Sequence, residues 1–448
     1  MSSPGATPVP AVSTAARREW LSFFRQGGWM LLAGGLAGVC FSLTHTPASQ
    51  MAVPSEYSVF TTLLDSLYLL MIPAGGLQAA FAQMAATALD EEARARVRSA
   101  AWRVLAVVTG LWLLVVLATW IYLPALMRTW QIRNPWALAW TLGIGLTGLW
   151  CPVFAGLLQG RQRFFWLGNA QVISGAGRLV AVTFAVVVLG GLAAGAMAGA
   201  FAGAMASVVL SAAASWRDWW GPRSAAVTWG WVKPCVALTL GLGVGSVMLS
   251  ADTLFVQAVF SQLPEGSKET AYYMAGGRIG RGLVTLTAAL ALVLFPRVAR
   301  SAATGEPTGA LKLALGATLG TGLVVAVGCT VMPTLPLKLL YWQKPGFLAA
   351  AQLVPWFCWC MLPLTAANTL INNLLARGRF AVVPWLLLVA GGYAGTLWWL
   401  RDGFEQRPVF EGFRLVVMVL GGFSVLLLLV AVLFSVPLRG GGTVARRA

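Results

Sequence analysis

Arg178, Arg278 and Arg281 stand inside stretches that are otherwise apolar, and so do two aspartates, Asp65 and Asp252. A charged side chain in hydrocarbon is costly and is kept where it faces an internal cavity or a partner of opposite sign. Arginine presents a planar fork that gives a phosphate two parallel, charge-assisted hydrogen bonds. Three such forks around one space would hold a diphosphate. Arg278 and Arg281 are three residues apart and so share a helix face. Asp65 and Asp252 could orient the arginines, pin helices in register, or carry a proton or a sodium ion. Structural readings stand beside these. Arg278 and Arg281 could snorkel to the nearer surface, and Arg178 could serve packing alone. His45, the one histidine, falls at the rim of the first apolar stretch and reads as an interfacial residue.

The elements that must position these charges are membrane helices. Hydrophobic residues make up 58% of the 448 and charged residues only 10%, which makes this an all-α polytopic membrane protein. A span needs about 20 apolar residues. Twelve stretches qualify: 26–46, 57–88, 99–123, 136–158, 164–190, 192–216, 234–261, 270–299, 309–335, 346–376, 380–400 and 412–437. Pro73, Pro152, Pro355 and Pro363 are expected to kink their helices, which membrane bundles tolerate. Twenty Lys and Arg fall in loops on one side and eight on the other. The positive-inside rule therefore puts both termini in the cytoplasm. The net charge of +17 reads as this topology signal, and no basic run with interleaved aromatics suggests nucleic acid. At about 1.5 Å of rise per residue, all five buried charges fall in one layer, about 12–18 Å below the outer surface.

The chain also looks doubled. Arg161, Arg163 and Phe164 follow the fourth span, and Arg377, Arg379 and Phe380 follow the tenth, at an offset of 216 residues. Tyr57 and Tyr273 open the second and eighth spans at the same offset. Six spans precede the midpoint and six follow, which predicts a parallel repeat about an axis along the membrane normal. The expected layout is a cytoplasmic tail (1–25), a six-helix lobe (26–216), a cytoplasmic linker (217–233), a second six-helix lobe (234–437) and a cytoplasmic tail (438–448). A central cavity would lie between the lobes. Residues 1–25 have no apolar core of a cleavable signal, so the first span should insert and stay. Arg25, Arg161, Arg163, Arg377 and Arg379 flank the cytoplasmic ends of spans. They read as topology anchors or as the place where an anionic head group arrives. The six cysteines lie in or at the edge of apolar spans and read as small apolar residues, not as a disulfide framework or a zinc site. No GxxxxGK[ST] motif is present, so ATP chemistry, a catalytic site, a metal and a cofactor are not expected of this chain.

Four segments resemble the polysaccharide (O-antigen and exopolysaccharide) flippases of the MOP exporter superfamily, which also holds the lipid II flippases and the MATE multidrug antiporters. They are Glu56 to Ala86, Gly156 to Leu179, SADTLFVQAVF with AYYMAGGRIGRGLVTL, and Val293 to Arg300. The resemblance implies a MOP-like twelve-span, two-lobed bundle working by alternating access. It also implies a cationic cavity for an isoprenoid-diphosphate-linked oligosaccharide, in a bacterial cytoplasmic membrane. Carried over by position, Arg178, Arg278 and Arg281 would bind substrate, and Asp252 would couple to an ion or to the conformational change. Proton, sodium ion and membrane potential stay open as drivers, and other glycan-assembly membrane proteins as partners. The chain departs from the lipid II flippases, which have two further C-terminal spans and which this chain does not match there. Its first span also carries no buried arginine. A MATE-type antiporter of cations, an integral-membrane sugar or polyprenyl transferase, and a scaffolding protein are the competing readings.

Overall fold

The computed structural model describes residues 29–30, 32–224, 232–263, 268–284 and 309–435, and among them every regular element is a helix. The long helices are α1 (32–43), α2 (Pro54–Leu70), α3 (Pro73–Thr87), α4 (Glu91–Ile121), α5 (Trp136–Gly160), α6 (Phe164–Thr183) and α7 (Ala193–Ala214). They continue with α8 (Val232–Val259), α9 (268–284), α10 (Gly309–Val331), α11 (Val354–Ala376), α12 (Val383–Trp399) and α13 (Val409–Ser435). Eight of the described helices are long and apolar enough to cross a membrane, and ten spans result if each of two bent pairs counts as one. The other two expected spans, 26–46 and 270–299, run partly outside the described residues.

The prolines act in different ways. Pro73 opens α3 after a break at Met71 and Ile72, so the second span is two helices meeting at 46°. Pro152 and Pro363 lie inside α5 and α11 without ending them. Pro355, expected to bend its span, instead sits in the first turn of α11. There its missing N–H has no intrahelical partner to lose. The segment before it is a 3-10 turn, Pro345–Gln352, preceded by a short helix, Thr334–Leu340, set at 95° to α10.

Within the first half, α3 packs on α5, α5 on α7, and α6 on α7; within the second, α10 packs on α11, α11 on α13, and α8 on α12. Helix α8 also runs against α2 and α3, joining the halves. The turns after α5 and α11 have one geometry. Gln162 and Gly378 both have positive φ, at 56° and 69°. Arg163 donates to the Ala214 carbonyl at 2.8 Å and Arg379 to the Phe434 carbonyl at 3.1 Å, each closing the end of the last span of its half.

Close backbone contact sets the position of α6. A Cβ added to Gly203 on α7 would lie 2.4 Å from the Arg178 backbone nitrogen. A Cβ on Gly175 would lie 2.8 Å from the Ala37 carbonyl oxygen on α1. Helix α6 is thus held between α1 and α7 at distances only glycine allows. Gly203→Val should cost about 1–3 kcal/mol through overpacking and lower the melting midpoint of the purified protein. Gly320→Ala, which meets nothing within 4 Å, should leave that midpoint unchanged.

Candidate functional site

A cavity of about 590 Å³ lies between the halves. Phe41, His45, Tyr68 and Arg178 line it from the first half, and Arg278 and Arg281 from the second. All three arginines singled out in the sequence therefore face one space, and Asp65 and Asp252 stand behind two of them.

Although Arg278 and Arg281 share α9, they turn to different helices. The Arg278 Nη2 donates to Asp65 Oδ1 on α2 at 2.6 Å and to the Thr61 carbonyl at 3.2 Å. This ion pair joins the two halves. The Arg281 Nη2 donates to both oxygens of Asp252 on α8, at 2.9 and 2.8 Å, and to Thr253 Oγ1 at 2.5 Å. Its Nε donates to the Leu249 carbonyl at 2.8 Å. Tyr273 adds a hydrogen bond to Asp252 Oδ2 at 2.7 Å. Both carboxylates are fully buried, and the arginine side chains are 11% and 8% exposed, so neither arginine snorkels to a surface.

Arg178 differs. Among the described residues it makes no hydrogen bond and no ion pair, and its buried Nε has no partner. Its guanidinium lies over the rings of Phe41 and Phe60, at 5.4 and 6.0 Å from their centroids. Aromatic faces attract a cation but do not neutralise it. One net positive charge with free donors therefore remains in the cavity.

Aromatic contacts between the halves surround Tyr57. The Tyr57 and Tyr341 hydroxyls are 2.7 Å apart, and Tyr57 and Phe347 meet edge to face at 5.3 Å between centroids. His45 is buried, not interfacial, and its Nδ1 lies 3.2 Å from the Tyr57 hydroxyl. Thr62 on α2 donates to Gln257 Oε1 on α8 at 3.5 Å. Glu56 is also buried; it accepts from the Ala193 backbone N–H at 3.1 Å, at the start of α7, and pairs with Arg133 at 3.6 Å. Sequence reasoning missed Tyr341, Gln257 and Glu56. The only available signal was Glu56 as an acid opening an apolar span.

The basic residues at span ends are otherwise engaged. Arg161 and Arg163 both pair with Asp218, at 3.1 and 3.3 Å. Arg377 donates to Asn373 Oδ1 at 3.2 Å, and Arg379 closes α13 as described. Arg25 lies outside the described residues. Among the described residues no three His, Cys, Asp or Glu side chains gather as a metal site.

Fold and cavity together define a polytopic helical bundle with a cationic chamber between its halves. The chain belongs to the polysaccharide biosynthesis protein family, whose model matches residues 54–302, more than half of the sequence. Its fold is that of the MOP superfamily transporters. An inward-facing multidrug resistance MATE family transporter superposes with a TM-score of 0.66 at 14% identity, covering 89% of this chain and 93% of the other. The outward-facing conformation of such a transporter gives 0.61 at 15% identity, over 92% and 93%. A MOP superfamily transporter from Pyrococcus furiosus, described as having a binding pocket of reverse polarity that suggests a different function, gives 0.61 at 12% identity, over 92% and 94%. No curated protein matches the chain in sequence.

Removing one member of a buried ion pair strands the other at a cost of about 3–5 kcal/mol. Asp252→Asn should destabilise the purified protein by that order. The double variant Asp252→Asn/Arg281→Gln should recover part of the loss in a thermal-denaturation cycle.

Proposed function

We propose that this chain is a flippase that moves an isoprenoid-diphosphate-linked oligosaccharide across the membrane by alternating access. The observation that carries this reading is Arg178: a guanidinium with unused donors in a chamber where the other two arginines already have carboxylates. Such a group awaits an anion. A diphosphate would accept from Arg178 and extend towards Arg278 and Arg281, while sugars occupy the chamber and the lipid tail stays between helices in the bilayer. Membership of a polysaccharide biosynthesis family supports a glycan as cargo. The MOP fold supports transport over catalysis.

In this reading the two lobes are 26–216 and 234–437, joined by the linker 217–233, with tails 1–25 and 438–448. The Lys- and Arg-rich face is cytoplasmic, in a bacterial inner membrane. The Tyr57–Tyr341 contact is then the closed outer gate, and rocking of the lobes opens it. Membrane potential contributes about 2.3 kcal/mol per charge per 100 mV. Arg161, Arg163, Arg377 and Arg379 act mainly as anchors of the cytoplasmic turns. An exporter of cationic drugs would want carboxylates free to meet its cargo. Asp65 and Asp252 are instead engaged by arginines, which disfavours that reading.

Transport of a fluorescent isoprenoid-diphosphate oligosaccharide into proteoliposomes tests the proposal. Wild type should transport, and folded Arg178→Ala should lose at least about tenfold in rate, the worth of one charge-assisted hydrogen-bonding group. A wild type that moves no such lipid but expels organic cations would refute the flippase reading.

A further inference from the structure

The two carboxylate-paired arginines are not held alike. Asp252 has both oxygens occupied, by Arg281 and Tyr273, and its pair with Arg281 lies within one half of the chain. Among the described residues Asp65 uses only Oδ1, and its buried Oδ2 has no partner. Among the described residues Arg278 likewise uses only Nη2 for its two bonds, and its buried Nε has no partner. The Asp65–Arg278 pair is thus a single contact between groups that each keep unspent hydrogen-bonding capacity. Arg278 lines the same cavity as Arg178, and Asp65 is not on its wall.

We infer that Asp65 is a specificity-determining residue: it withholds Arg278 from ligands bearing one phosphate and yields it to ligands bearing two. This rests on the flippase reading above. An isoprenoid lipid joined to its sugar through one phosphate brings one negative charge, which binds Arg178 but does not win Arg278 while Asp65 holds it. Joined through a diphosphate, the lipid brings two linked charges. The first phosphate binds Arg178, and the second then competes with Asp65 for Arg278 as a tethered, effectively intramolecular group. It offers more oxygen acceptors than the single Asp65 oxygen now in use. Asp65 therefore sets a threshold that a lone phosphate does not pass. Arg281 is excluded from this exchange because its carboxylate is fully committed.

The test compares farnesyl-diphosphate-linked and farnesyl-phosphate-linked N-acetylglucosamine, titrated into the purified full chain in detergent. Wild type should prefer the diphosphate form by about tenfold or more. Asp65→Asn should erase most of that preference by tightening the single-phosphate form, and Asp65→Glu should keep it. Arg278→Gln attacks the pair from the other side and should bring the two forms to equal affinity by weakening the diphosphate form. This second variant decides the matter if Asp65→Asn does not fold. A wild-type preference kept in either folded variant overturns the inference and leaves the flippase reading standing. If wild type binds neither form and Arg178→Gln behaves identically, the flippase reading falls, and the inference with it.

Discussion

A charge set among membrane helices has to be answered by an opposite charge, by hydrogen bonds, or by a ligand that arrives. The five charges of this cavity are answered unequally. Arg281 and Asp252 form a closed unit with Tyr273 and Thr253. Arg278 and Asp65 are joined by one contact across the halves. Among the described residues Arg178 has only the faces of Phe41 and Phe60. Much of the fold serves this gradation. Gly175 and Gly203 bring α6 close enough to its neighbours to carry Arg178 to the cavity wall. The break before Pro73 redirects the second span below the pair, so that α2 and α3 follow α8 along different lines.

Helix α2 carries several of the contacts that join the halves, and others run from residues 128–131 to Gln257 and Gln262. Tyr57 meets Tyr341 and Phe347, Thr62 meets Gln257, and Asp65 meets Arg278. One helix thus carries both the aromatic closure and the exchangeable ion pair, eight residues apart. In the proposed transport cycle this makes α2 the element that senses cargo and loosens the gate. A hinge of this kind needs two alternative packings of nearly equal energy. Hydrogen-bonded hydroxyls and a half-used carboxylate provide contacts that can be remade, unlike a solid apolar seam.

The helices were legible because hydrophobicity over about 20 residues leaves few alternatives in a membrane. The buried arginines and aspartates were legible for the complementary reason: each is an exception in an apolar run. Their pairing was not. Arg278 lies 213 residues from Asp65, and nothing local distinguishes it from Arg281, which turns to a carboxylate 29 residues away. That Arg178, unlike Arg278 and Arg281, has no carboxylate partner among the described residues follows only from three-dimensional packing. His45 was misplaced because the rim of a hydropathy window resembles a lipid interface, whereas in the fold Tyr57 and Phe60 pack against it. Pro355 misled because a proline in the first helical turn reads, in sequence, like one inside the span.

Among the described residues Arg178 is the cation of the chamber that no carboxylate compensates. The most direct measurement is the thermal stability of the purified protein against increasing farnesyl diphosphate, for wild type and Arg178→Gln side by side. A ligand that binds only the folded state stabilises it by RT ln(1 + [L]/Kd). Wild type should show a saturable rise in melting midpoint, and Arg178→Gln a rise only at much higher concentration. Equal stabilisation of both proteins, or stabilisation by organic cations and not by the diphosphate, would contradict the account.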